Sequence, residues 1–288
     1  MVLENKCALI TGGSAGLGYE ISKAFLKAGC DIFITGRDEE KLKRALNQLS
    51  LEYPQRKIKA LSSDVSSEKD CEHIIDSFIG EFKRIDILVN NAGVYGPFGS
   101  ISKDNWKDWK EAIKINLFGS VYLASLVSEL MKQNNFGKII QLSGGGATNP
   151  LPYISSYAAS KAAVVRYIET LAVELEEFNI DVNAIAPGAL NTSLLDDILK
   201  NGKGKIDEKL YEKQLELKKT GGVSMNYGVD LCLFLASEKS NGLTGKLISA
   251  LWDNYEDWMK NIDEVSNSDL YTIRRIVGKD RNFPSGDK

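Results

Sequence analysis

The chain has 288 residues, 43% hydrophobic and 26% charged, with 36 basic against 39 acidic side chains and a formal net charge of -3. That is an ordinary globular balance, and the even mixing of signs argues against a general nucleic-acid or anionic-membrane partner. Four widely spaced cysteines (Cys7, Cys30, Cys71, Cys232), no CxxC pair and a single His73 argue against a disulfide framework or a zinc site, and suggest reduced thiols in a cytoplasmic protein.

The first residues, MVLENK, are too short and polar for a signal peptide. CALIT (7–11) then reads as an apolar strand ending at glycines, and GLGYEISKAFLKAG (16–29) has helical spacing at Leu17, Ile21, Ala24, Phe25 and Ala28. DIFIT (31–35) is a second strand, followed by a charged helix through 39–49. KIKALSSD (57–64) gives strand three, 68–82 a helix, and IDILVNNAG (85–93) a buried fourth strand. A long helix is expected over 105–133, although no apolar run is expected to approach the roughly 20 residues that span a bilayer. KIIQLS (138–143), a helix over about 156–177, IDVNAIAP (180–187) and GKLISAL (245–251) complete the pattern. Strict β-α alternation with continuously apolar strands predicts an α/β fold, a doubly wound Rossmann-type parallel sheet of about seven strands with helices on both faces. One domain over residues 1–252 is expected.

Two segments fall outside that rhythm. Residues 193–222 are charged, partly helical and flanked by glycine. They could be a solvated surface, but they follow strand six, whose carboxyl end should face the site, so a substrate lid is the favoured reading. Residues 253–288 carry Trp258, Ile262, Leu270, Tyr271 and Ile273, too apolar for a free tail. This arm is expected to pack on its own domain or a neighbouring subunit, with the last several residues frayed.

The turn after strand one, TGGSAGLG (11–18), places Gly12, Gly16 and Gly18 where a tight turn and a helix N-terminus can receive a pyrophosphate. At the end of strand two, TGRD (35–38) has Gly36 where an NAD-preferring site usually carries an acid, and Arg37 follows. A guanidinium suits a 2′-phosphate, so NADP(H) is the expected dinucleotide, with NAD(H) the alternative and Asp38 a counter-argument.

Together TGGSAGLG, SSDV (62–65), NNAG (90–93), INLFG (115–119), YAASK (157–161) and PGALNT (187–192) resemble the short-chain dehydrogenase/reductase family in order and near spacing, over about residues 5 to 251. Two departures stand out: ALWDN (250–254) where the family often ends its last strand with two glycines, and the longer arm. The resemblance implies cofactor contacts from Thr11, Ser14 and Leu17, from Asp64 and Val65 to the adenine, from Asn90, Ala92 and Gly93, and from Pro187, Gly188, Leu190 and Thr192 near the nicotinamide. It also implies a homodimer or homotetramer assembled through the long helices.

Tyr157 is the expected proton carrier, but a free Tyr with a pKa near 10 is a weak base at neutral pH. Lys161 lies one helical turn on, and its charge is expected to lower that pKa. The resemblance also gives Lys161 the nicotinamide ribose, and Asn116 a supporting link to Lys161. Its oxygen-stabilising Ser usually stands 13 residues before the Tyr, where this chain has Gly144; Ser143 is 14 before. A one-residue longer loop would bring Ser143 into place; otherwise Thr148 or a glycine N–H would serve. The expected activity is interconversion of an alcohol and a carbonyl on a small molecule, with a polar or anionic part hinted at by lid lysines and Arg274–Arg275. Alternatives are a nucleotide-binding sensor or scaffold with little turnover, and a sugar-nucleotide epimerase or dehydratase.

Overall fold

Seven apolar runs form one sheet: β1 (Cys7–Thr11), β2 (Asp31–Gly36), β3 (Ile58–Ser62), β4 (Ile87–Asn90), β5 (Gly137–Leu142), β6 (Ile180–Ala186) and β7 (Leu247–Ser249). All pair in parallel, in the order β3-β2-β1-β4-β5-β6-β7. The structure, a computed structural model, describes residues 1–283; the frayed end expected beyond them lies outside that range. Strand order reverses between β1 and β4, which opens a crevice at the carboxyl ends of the strands.

The period-2 alternation of the strands sorts side chains into two cores. Ala8 and Ile10 of β1 pack with Ile21 and Phe25 of α1 (Gly16–Lys27), Leu42 and Leu49 of α2 (Glu39–Glu52) and, later in the chain, Leu235 of the helix Met225–Ala236. Leu9 faces the other side, with Phe78 of α3 (Glu68–Phe82) and with Val127 and Ile168 from two later helices. Each fully buried Leu, Ile or Phe contributes about 1.5–3 kcal/mol relative to exposure. Asp38 and Ser67 accept N–H bonds at the starts of α2 and α3, which fixes where the chain turns into each helix.

The helix expected over 105–133 is a continuous stretch, Trp106–Asn134. It is α4 (Trp106–Ile113) and α5 (Gly119–Asn134), joined by a π-helical turn at Lys114–Phe118. By length and composition this helix could cross a bilayer, which corrects the expectation that no run approaches that length. Here 44% of its most apolar window is buried, with Leu123, Ala124, Val127 and Met131 in the second core.

Next come α6 (Ser155–Glu174), α7 (Ser193–Asn201), α8 (Glu208–Thr220) and α9 (Met225–Ala236). The segment holding α7 and α8 leaves and returns at one point: Leu190 bridges Gly222, and the Val223 N–H donates to the Ala189 carbonyl at 3.0 Å. Beyond β7, α10 (Tyr255–Trp258) and α11 (Ile262–Ser266) begin the arm. Its chain returns to the domain: the Leu247 N–H donates to the Tyr271 carbonyl at 2.8 Å, and the Ile273 N–H donates to the Glu169 carboxylate at 2.6 Å. Trp258 stacks on Tyr271 with ring centroids 3.9 Å apart, and Lys246 Nζ donates to the Ser268 carbonyl at 2.8 Å.

Candidate active site

The glycine turn is shaped by backbone that only glycine adopts freely. Gly12 and Gly16 have φ of +65° and +53°, and a Cβ on Gly12 would meet the Asn91 amide at 2.9 Å. Thr11 Oγ1 accepts the N–H groups of Asn91 and Ala92, both at 3.0 Å. Asn91 Nδ2 in turn donates to the carbonyls of Thr11 (2.9 Å) and Gly12 (3.2 Å). These bonds clamp the end of β1 to the end of β4 and hold the turn open. No side chain caps the start of α1, so its first N–H groups are left for a ligand.

A cavity of about 890 Å³ runs along the carboxyl ends of the strands. Gly12, Ser14, Gly16 and Leu17 line one end, with Arg37 and Val65 beside them. Ala92, Gly93, Ser143, Tyr157 and Lys161 line the middle, and Pro187, Gly188, Leu190 and Thr192 another wall. Thr11, Gly18, Asp64, Asn90 and Asn116 are not among the lining residues. Thr11 acts through the clamp just described. Asp64 shapes the turn after β3 by accepting the Ser66 N–H at 2.9 Å, and Asn90 Nδ2 donates to the Ser120 carbonyl at 3.0 Å. Sequence reasoning passed over Asn91, Ser63, Lys41 and Tyr95, all of which line the cavity. Asn91 was in view as the second Asn of NNAG; nothing in the pattern pointed to Tyr95.

At the β2 end the floor is bare. Gly36 has no side chain, and a Cβ there would stand 3.0 Å from Ser14 Oγ. The neighbouring acid is occupied: Asp38 accepts the Lys41 N–H at 3.0 Å and pairs with Lys41 Nζ at 3.4 Å. That backbone hydrogen bond also holds its carboxyl below the usual range. Arg37 is exposed at the rim. The turn, the uncapped helix and this bare floor fit a nicotinamide dinucleotide.

At the centre, Tyr157 and Lys161 share one face of α6. Lys161 is buried, its Nζ donating to the Leu142 carbonyl at 2.8 Å and lying 5.5 Å from the Tyr157 ring centroid. Burial pulls the ammonium down to about 8. The Tyr157 hydroxyl is pushed well up, first by burial and then by Tyr95, whose ring lies 4.8 Å away. That direction is opposite to the lowering expected from Lys161, since burial disfavours the charged tyrosinate. Tyr157 therefore keeps its proton in the protein alone.

Asn116 occupies the π turn and is fully buried. Its Oδ1 accepts the Val94 N–H at 2.8 Å, while Nδ2 donates to the Val94 carbonyl at 2.8 Å and to Ser160 Oγ at 3.0 Å. It thus ties the loop after β4 to α6, rather than bonding Lys161 directly. Gly93 lies between them: a Cβ there would be 3.3 Å from Asn116 Oδ1 and 3.7 Å from Lys161 Nζ. Ser143 is buried and its Oγ has no hydrogen-bond partner among the described residues. Gly144 stands directly against Tyr157, since a Cβ there would meet the hydroxyl at 2.6 Å.

Comparisons with known proteins agree with this fold. A family profile described as short chain dehydrogenase matches residues 6–202. The chain is 30% identical over 248 residues to 7alpha-hydroxysteroid dehydrogenase of Escherichia coli K12, covering 86% of this chain and 93% of that one. It is 33% identical over 250 residues to a 3-oxoacyl-(acyl-carrier-protein) reductase of Chlamydia trachomatis, covering 86% and 96%. Among solved structures, 7 alpha-hydroxysteroid dehydrogenase complexed with NADH and 7-oxo glycochenodeoxycholic acid superposes with a TM-score of 0.74 at 31% identity, over 86% of this chain and 93% of that one.

Proposed function

The chain belongs to the short-chain dehydrogenase/reductase family, and from that premise we propose that it is an NADP(H)-preferring enzyme interconverting a ketone or aldehyde and an alcohol, with Tyr157 as the proton carrier. The observation behind this reading is the Tyr157–Lys161 pair beside a cavity whose other end fits a dinucleotide. The bound dinucleotide supplies or accepts the hydride. Tyr157, held neutral by burial, donates its proton to the carbonyl oxygen as that oxygen gains charge. Ser143 offers a hydroxyl with no competing partner as the hydrogen-bond donor to the same oxygen. Lys161 supports the proton step from beneath, anchored on Leu142, and Asn116 sets the spacing between the loop after β4 and α6.

NADP(H) is preferred in this reading because Gly36 brings no carboxylate to the floor, Asp38 is engaged with Lys41, and Arg37 and Lys41 both line that end. The segment 193–222 serves as a lid, since both its ends are pinned at one place while Leu194, Leu195 and Ile198 line the cavity. Free thiols at all four cysteines suit a reducing cytoplasm, and exposed Phe118 at the end of the π turn and Val173 on α6 suit pairing with a second copy. Tyr157→Phe should lower turnover at least a hundredfold while dinucleotide affinity stays within about threefold. Turnover preserved in that variant overturns the assignment; a wild-type chain that binds dinucleotide but reduces no carbonyl is instead a sensor or scaffold.

A further inference from the structure

We propose that the substrate is a neutral, largely apolar carbonyl compound, seated between Tyr95 and the inner face of α8. The proposal deepens the alcohol–carbonyl reading and rests on it, since it takes the Tyr157 hydroxyl as the reacting end of the cavity. Leu195, Ile198 and Ile206 form a small core of their own, packed with Tyr95, Phe98, Leu210 and Leu217. Tyr95 belongs to that core on one side and touches the Tyr157 ring on the other, at 4.8 Å. The wall beyond the proton donor is therefore continuous with the lid's apolar interior. From α8 the cavity receives Leu210, Gln214 and Leu217, at i, i+4 and i+7, which is one helical stripe. Its only polar member, Gln214, is uncharged.

The charges tell against an anionic substrate. Among the described residues, the charged side chains lining the cavity are Arg37, Asp38, Lys41, Lys161 and Asp253. The first three stand at the dinucleotide end. Lys161 is buried with its Nζ committed to the Leu142 carbonyl. Asp253 is an acid, accepting the Ser249 N–H at 2.7 Å. Among the described residues no free cation lines the reacting end to pair with a carboxylate or phosphate, and an unpaired anion there is disfavoured. The basic residues that hinted at an anionic substrate lie elsewhere: Lys218 pairs with Asp196 at 2.7 Å, and Arg274 with Asp269 at 3.0 Å and Asp280 at 3.2 Å. Lys209, Lys213 and Lys219 are exposed and do not line the cavity.

The test is calorimetric binding to the NADP+-saturated protein of medium-chain methyl ketones and of the same ketones carrying a terminal carboxylate. The neutral series should bind at least tenfold tighter, gaining up to about fourfold per added methylene until the space is filled. Gln214→Lys should narrow that gap at least tenfold by giving the carboxylate a partner. A carboxylate series that binds as tightly as the neutral one overturns the proposal, as does a gap unmoved by Gln214→Lys. Because binding is read without turnover, neutral ketones that bind in this order but are never reduced would sink the oxidoreductase reading and leave the pocket assignment standing.

Discussion

Gly144 and the Tyr157 hydroxyl are in contact with no space for a side chain between them; a single Cβ on Gly144 would reach the oxygen at 2.6 Å. The backbone of Gly144 is extended, with φ of 174°, so any residue could adopt it and the constraint is steric alone. Gly144→Ala should displace the hydroxyl and cut turnover at least tenfold, with dinucleotide binding unchanged. Steady-state rates beside a binding titration decide this, and a fully active Gly144→Ala would mean that the Tyr157 oxygen acts from another position.

Ser143 tests the other half of the same corner. Ser143→Ala removes a buried hydroxyl that bonds to nothing in the protein, so stability should change by less than about 1 kcal/mol. The chemical step should slow by about tenfold or more. An unchanged single-turnover rate would hand the substrate oxygen to Thr148 or a loop N–H.

Arg37→Ala should raise the dissociation constant for NADP(H) about tenfold or more and change that for NAD(H) little. The NADP(H) affinity of the wild type should also fall more steeply with salt, because Arg37 is exposed. Equal losses for both dinucleotides would remove the case for a 2′-phosphate contact.

Lys161 gives a pH signature. Its folded value, about 8, lies below its ordinary 10.5, so the unfolded chain binds more protons between those values. Stability relative to Lys161→Met should therefore rise as pH rises through that window, by about 3 kcal/mol at most. Denaturant titrations at several pH values measure it; a flat or falling difference would mean that the ammonium is not destabilised by burial.

Asn116→Ala leaves both Val94 groups without their partner and removes one of the two hydrogen bonds of the Ser160 hydroxyl, and should cost about 2–4 kcal/mol. Thermal melting with and without NADP(H) would separate this loss from any effect on the cofactor.

Much of this was legible in the chain. The alternation of apolar runs and amphipathic stretches carries the sheet, because a parallel strand covered on both faces must be continuously apolar. The turn TGGSAGLG and the YAASK spacing name their own neighbours, since each is a local motif whose parts sit within one turn of backbone. What escaped were relationships between distant segments. Tyr95 meets Tyr157 across 62 positions of sequence, counting from their numbers, and no periodicity announces such a contact. The π turn holding Asn116 adds no unusual residue, so the helical spacing read as regular. The upward push of burial on Tyr157 was hidden for a similar reason: charge is visible in a sequence, but desolvation is not.

The return of the arm to β7 bears on how the sheet avoids pairing with other chains. On one side of the sheet the outermost strand is three residues long, and the Leu247 N–H is paired by the carbonyl of Tyr271, 24 residues downstream. Without that pairing, this border of the sheet would be open to strands of other chains. A message truncated just after Ala250 would yield a polypeptide with all seven strands and the whole cavity wall from β1 to β6, yet one prone to self-association at that border. The segment beyond β7 thus guards the border of the sheet against unwanted strand pairing, a task separate from that of the catalytic centre.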